Sequence, residues 1–134
     1  MLERSLAFGD QTALDVMTPR VRVRTIPASA TAADVLELAR RTGLSRFPVV
    51  ERSLDDVQGI IHVKQALAIP EADRGHTLVT NFMLPPVVVP SSIELDPLLQ
   101  TLRSEGLQLA VIIDEFGGAD GIVTIEDLIE ELVG

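Results

Sequence analysis

The 134-residue chain carries the same ordered set of landmarks twice, and this internal repeat limits its fold more than any other feature. Met17-Thr18-Pro19-Arg20-Val21-Arg22-Val23 aligns with Met83-Leu84-Pro85-Pro86-Val87-Val88-Val89 at an offset of 66. Pro27 aligns with Pro90, Val35-Leu36 with Leu98-Leu99, Gly43 with Gly106 and Val49 with Ile112, all at 63. Gly59-Ile60-Ile61 aligns with Gly121-Ile122-Val123 at 62. The offset drifts only where loops belong. The shared order, rather than any one match, marks a duplicated unit.

Each copy has one coarse pattern. A short extended piece, 21–26 or 87–90, leads into an amphipathic helix at 34–42 or 97–105. In the first helix Val35, Leu36, Leu38 and Ala39 share a face, and Gly43 stands just past the end. In the second, Leu98, Leu99 and Leu102 do so, with Pro97 in the first turn and Gly106 beyond the end. Buried strands follow at 47–51 and 109–114, turns at 55–58 and 117–120, and second strands at 59–62 and 121–124. Closing helices occupy 63–69, stopped by Pro70, and 125–133. The expected fold is α/β (α+β), two β-α-β-β-α repeats packed through their sheets as a pseudo-two-fold pair. A unit of about 50 residues cannot bury both faces of its sheet alone. This reading assigns 1–16 to a lead-in helix or linker, 17–69 to the first repeat, 70–82 to a linker and 83–134 to the second repeat.

Composition removes whole classes of function. With 46% apolar and 23% charged residues the chain is not a disordered acidic tail. No cysteine means no disulfide, thiolate zinc site or thiol nucleophile. The four aromatic residues are all Phe, which leaves no stacking platform for single-stranded nucleic acid, and a net charge of −9 opposes binding to a phosphate backbone. No nucleic-acid partner is expected. The uncharged stretch 75–93 contains Pro85, Pro86, Pro90, His76 and Asn81 and is not expected to span a membrane; Met1-Leu2-Glu3-Arg4 opens no apolar run, so no signal peptide is expected. Residues 1–76 balance ten basic against ten acidic side chains, whereas 77–134 set Arg103 against ten acids. The whole acidic excess lies in the second half.

Three features could carry chemistry. Gly121-Ile122-Val123-Thr124-Ile125-Glu126-Asp127 runs from strand into helix, with Thr124 at the N-cap and Asp127 three residues on. One reading is a capping box. The other uses the same geometry to hold an anion at the helix N-terminus and sugar hydroxyls on the carboxylate. Arg20, Arg22 and Arg24, at period two, share one face of a strand, either as a solvated edge or as a cationic face. Arg46, before Phe47-Pro48, starts a buried strand and could present a fork donor to phosphate at the strand ends. Glu126, Asp127, Glu130 and Glu131 place like charges four apart on one helix, which reads either as a solvated face or as a site for a divalent cation or basic partner, with Glu126, Glu130 and Glu131 the candidate metal ligands. No phosphate-cradling Gly-x-x-x-x-Gly-Lys loop, His/Glu metal spacing or Ser-His-Asp grouping occurs, so no catalysis is expected.

Asp15-Val16-Met17-Thr18-Pro19-Arg20, Ser45-Arg46-Phe47-Pro48-Val49, and Asp114-Glu115-Phe116-Gly117-Gly118 followed by Gly121-Ile122-Val123-Thr124-Ile125-Glu126-Asp127 resemble the tandem CBS domains (Bateman module) of CorC/HlyC/CNNM-type, hemolysin-like membrane proteins linked to magnesium and cobalt transport. The resemblance covers the whole chain. It implies a regulatory, non-enzymatic module that binds an adenine nucleotide (ATP, ADP or AMP, with or without Mg²⁺) in a cleft between the repeats. It also implies a homodimer, at the cytoplasmic face of the membrane, attached to the transmembrane domain of a parent protein. By matched motif positions Thr124 contacts phosphate or ribose, Asp127 holds the ribose hydroxyls and Arg46 meets the phosphates. The resemblance further implies that Thr18, Arg20, Phe47, Pro48 and Ile122 line the base and its approach, with Ser45 also among the nucleotide-binding residues. Where the first repeat should have Thr and Asp it has His62 and Gln65, so one competent site per chain is expected. The rival readings are a dimerisation module with no nucleotide and a direct Mg²⁺ sensor on the acidic closing helix.

Overall fold

Local capping signals set most helix starts. The computed structural model describes residues 9–104, 106 and 108–134. The 1–16 lead-in helix is seen there as the single turn α1 (Ala13–Val16), and residues 1–8 of that expectation lie outside the described residues. Helix α2 (Ala32–Thr42) begins two residues before the expected start. Thr31 is its N-cap, donating its N–H to Asp34 Oδ2 at 2.9 Å and accepting the Asp34 N–H at 3.3 Å. It ends at Gly43, left-handed at φ 74° as a residue without Cβ permits. Helix α3 spans Val63–Leu67, α4 Leu95–Ser104 and α5 Ile125–Val133.

The strands are β1 (Thr18–Pro19), β2 (Ile26–Pro27), β3 (Arg46–Val50), β4 (Val57–His62), β5 (Val88–Pro90), β6 (Leu109–Ile113) and β7 (Ala119–Thr124). They form a three-stranded sheet β2-β3-β4 and a four-stranded sheet β1-β7-β6-β5. β2 and β5 run parallel to β3 and β6; β3–β4 and β6–β7 are antiparallel hairpins. Pro48 sits inside β3 at no cost to the ladder. Its partner Ile60 turns its own N–H and C=O to Leu84, at 2.8 and 3.0 Å, so Pro48–Ile60 is a non-hydrogen-bonded pair. On the other side, pairing with β2 begins only at Val49.

One expected strand is absent. Of 21–26 only Ile26 is extended in a sheet, and Arg20–Arg22 is a 3-10 turn closed by Val23 N–H to Arg20 O at 3.2 Å. With three residues per turn, Arg20 and Arg22 do not share a face, so the period-two row of guanidiniums does not exist.

The chain divides into two compact units, residues 9–23 with 87–134, and residues 24–86. Their apolar cores are separate: Val89, Leu98, Leu102, Ala110, Ile112, Val123 and Leu128 in the first, Ile26, Val35, Phe47, Val49, Ile61 and Ala66 in the second. Each unit receives an arm. In the first, Ala13 N–H bonds Ile93 O at 2.9 Å and β1 pairs with β7. In the second, Val79 N–H bonds Ala30 O at 2.9 Å and Leu84 bridges to Ile60. Arms 12–18 and 78–84 are therefore equivalent at the offset of 66. Each docks on the repeat it does not directly precede, whereas the sequence division at 17–69 and 83–134 keeps residues 17–18 and 83–84 with the repeats that follow them.

Candidate functional site

Thr124 closes β7 and caps α5 with an extended backbone (φ −105°, ψ 164°). Its N–H donates to Asp127 Oδ2 at 3.0 Å, and the Asp127 N–H donates to Thr124 Oγ1 at 3.3 Å. The capping box is real, and it is incomplete in a useful way. The Thr124 hydroxyl accepts but still has its proton to donate, and among the described residues one Asp127 carboxylate oxygen makes no hydrogen bond. Both side chains are half-buried at the start of a nine-residue helix whose first amides favour negative charge.

β1 brings Thr18 alongside. Thr18 lies opposite Ile122, and Pro19 opposite Gly121. Gly121 permits the approach, since a Cβ there would strike the Thr18 carbonyl oxygen and come within 3.1 Å of Met17 Sδ. Thr18, Ile122, Thr124 and Asp127 thus share one strand pair and the helix it feeds. Arg20 belongs to the same unit but not to that end of it. Its Nη1 donates to Ala119 O at 3.1 Å, at the other end of β7, roughly 17 Å along a strand from Thr124.

Ser45, Arg46, Phe47 and Pro48 belong to the other unit, at the start of β3. The Ser45 carbonyl accepts the Val63 N–H at 2.8 Å, and Arg46 pairs in register with His62. Phe47 is fully buried in that unit's core, so its ring is not free to line a ligand as the resemblance implies. Pro48 is buried as well, Arg46 half-buried and Ser45 exposed.

The acidic face does not assemble a metal centre. Among the described residues no group of three or more His, Cys, Asp or Glu is placed to hold an ion. At about 100° per residue Glu126 and Glu131 lie roughly 140° apart round α5, so the three carboxylates do not meet at one point. Asp127, Glu130 and Glu131 instead line an open cavity of about 420 Å³ with Val16, Val133 and Gly134.

Three features escape the sequence reading. Gln108, just before β6, is left-handed at φ 61°, the one non-glycine residue so placed among the described residues, and its carbonyl accepts the Ile125 N–H at 3.0 Å. Gln65 accepts the His62 N–H at 2.9 Å and donates to the Phe82 carbonyl at 3.1 Å. The cavity is the third. Only Gln65 had a signal, since it stands where Asp127 stands in the other copy.

The family profile described as CBS domain matches residues 13–70 and again 79–134. The chain is a CBS-domain pair. It is 47% identical over its full length to a UPF0053 protein of Mycobacterium tuberculosis, covering 30% of that protein. It is 36% identical, also over its full length, to the magnesium and cobalt efflux protein CorC of Escherichia coli, covering 46% of it. The CBS pair therefore spans less than half the length of these curated relatives. Among solved structures, the CBS domain of a bacterial CNNM/CorC family Mg²⁺ transporter in complex with ATP superposes with a TM-score of 0.88 at 38% identity, over 96% of this chain and 92% of that one. That match places this CBS pair with the CNNM/CorC type. No helix among its described residues is long and apolar enough to cross a membrane.

Proposed function

We propose that this CBS pair is a regulatory, non-catalytic adenine-nucleotide sensor, part of a membrane protein of the magnesium and cobalt transport type and held at its cytoplasmic face. The observation that carries the reading is the Thr124–Asp127 couple beside Thr18. It offers a free hydroxyl donor, the positive end of the α5 dipole and an uncommitted carboxylate oxygen within one half-buried corner. Those groups match phosphate and ribose respectively. The ATP complex of a 38% identical CBS domain supports the same ligand class here. Arg46 is assigned to the phosphates by the resemblance alone, and Arg46→Ala tests that assignment separately.

One site per chain follows from the contrast between the repeats. The Gln65 carboxamide is engaged at both ends and carries no charge for a ribose diol, whereas Asp127 keeps an oxygen in reserve. The acids Glu126, Glu130 and Glu131 near the corner disfavour a bare triphosphate, so Mg²⁺ screening strengthens ATP binding. A nucleotide acts on the parent protein only by binding one conformation better than another. Homodimerisation is part of the proposal too: Ile129, Leu132 and Val133 of α5 are 51%, 45% and 79% exposed, a stripe that suits a subunit contact.

Titration calorimetry with ATP, ADP and AMP, each with Mg²⁺ and in excess chelator, tests the reading on wild type and Thr124→Ile. Wild type binds one equivalent, ATP more tightly with Mg²⁺. Thr124→Ile keeps its circular dichroism spectrum and loses binding. Two equal sites, or no heat with any nucleotide, would overturn it.

A further inference from the structure

The two arms dock through matching backbone contacts but differ in one side-chain tie. Arm 78–84 is fastened to α3 by Gln65, whose Oε1 accepts the His62 N–H while Nε2 donates to the Phe82 carbonyl. At the matched positions of the other unit stand Asp127 and Val16. Asp127 Oδ2 accepts the Thr124 N–H as Gln65 Oε1 accepts that of His62, at 3.0 against 2.9 Å. There the equivalence stops. A carboxylate has no N–H, and a carboxylate and a carbonyl oxygen are both acceptors, so no bond joins Asp127 to Val16. The two residues face the open cavity of about 420 Å³ instead.

We propose that the N-terminal arm 12–18 is left untied by this missing donor, and that a ligand diol supplies it, one hydroxyl donating to Asp127 and its neighbour to the Val16 carbonyl, so that site occupancy is read out as tightening of the arm. This rests on the nucleotide reading, since a ribose diol is the hydroxyl source that reading provides. Thr18, at the end of the arm, pairs with Ile122 of the same site, which puts the arm within the ligand's reach. The first repeat then has a built-in counterpart of the occupied state: Gln65 holds its arm permanently, with no ligand.

Hydrogen-exchange mass spectrometry on the full chain, with ATP and Mg²⁺ as probe, tests this on three proteins. Asp127→Gln keeps the acceptor for the Thr124 N–H and adds the N–H that Gln65 uses. Without nucleotide it slows exchange of the 12–18 amides about five-fold, the equivalent of one net hydrogen bond. Gln65→Glu removes the tie from the other arm and speeds exchange at 78–84 by a similar factor while leaving 12–18 unchanged. In wild type, ATP slows 12–18 and not 78–84. Unchanged exchange at 12–18 in Asp127→Gln, or at 78–84 in Gln65→Glu, would overturn the donor asymmetry. ATP that binds wild type by calorimetry without protecting 12–18 would overturn the coupling. Absence of any ATP heat would sink the nucleotide reading itself, with the two variants still deciding the asymmetry.

Discussion

Gly121 and Gly59 are matched residues that do the same job, letting an arm lie against a strand. A Cβ at Gly59 would come within 2.7 Å of the Leu84 carbonyl oxygen, and one at Gly121 would strike the Thr18 carbonyl. Gly121→Ala must push β1 off β7, at a cost of about 1–3 kcal/mol. The expected outcome is a lower melting temperature together with weaker nucleotide binding, because Thr18 moves. Gly59→Ala should lower the melting temperature alone. Equal affinity in Gly121→Ala would show that β1 is not part of the site. At this scale the sequence was most readable where chemistry is local. Thr124 and Asp127 three apart at a strand–helix junction announce a cap, and their local geometry needs no distant partner. Arg20 and Phe47 were not readable in the same way. The direction of the Arg20 guanidinium depends on a 3-10 turn and on Ala119, 99 residues away, and the burial of Phe47 depends on a core drawn from the whole unit.

Among the elements, the β6–β7 hairpin shows how a motif can be structural and conspicuous at once. Asp114 Oδ1 accepts the N–H groups of Phe116 and Gly118 at 2.8 and 2.9 Å, and the Asp114 N–H donates to Gly118 O at 2.8 Å. Gly117 closes the turn at φ 84°. Phe116 itself is 89% exposed. Asp114→Ala strips two amides of a charged partner and should cost about 1–3 kcal/mol, seen as a lower urea midpoint. Phe116→Ser should leave the midpoint within experimental scatter, and a large loss there would contradict the exposed placement. Element types were legible because apolar spacing differs between helix and strand. Element starts were less so: α2 begins at Ala32 because Thr31 and Asp34 cap it, a signal that precedes the apolar periodicity. The 21–26 strand failed because an alternating row of Arg and Val has no sheet partner to hold it extended once Pro19 ends β1.

At the level of the whole molecule, duplication was legible because offsets of 62 to 66 recur in order, and equivalent residues do occupy equivalent places in the two units. What an offset cannot encode is which copy an arm docks on. That choice is made by backbone pairing at Ile60 and Ile122 and by the small or apolar residues Ala13 and Val79 entering separate cores. The consequence is a division of labour. One helix start, His62–Gln65, is committed to holding its arm; the other, Thr124–Asp127, keeps donors and acceptors in hand. The most direct measurement is a crystal structure of the chain grown with excess ATP and Mg²⁺. Density for one nucleotide per chain, with its ribose on Asp127 and a phosphate at Thr124, is the expected result. An empty Thr124–Asp127 corner, or a nucleotide seated at His62–Gln65 instead, would contradict the account.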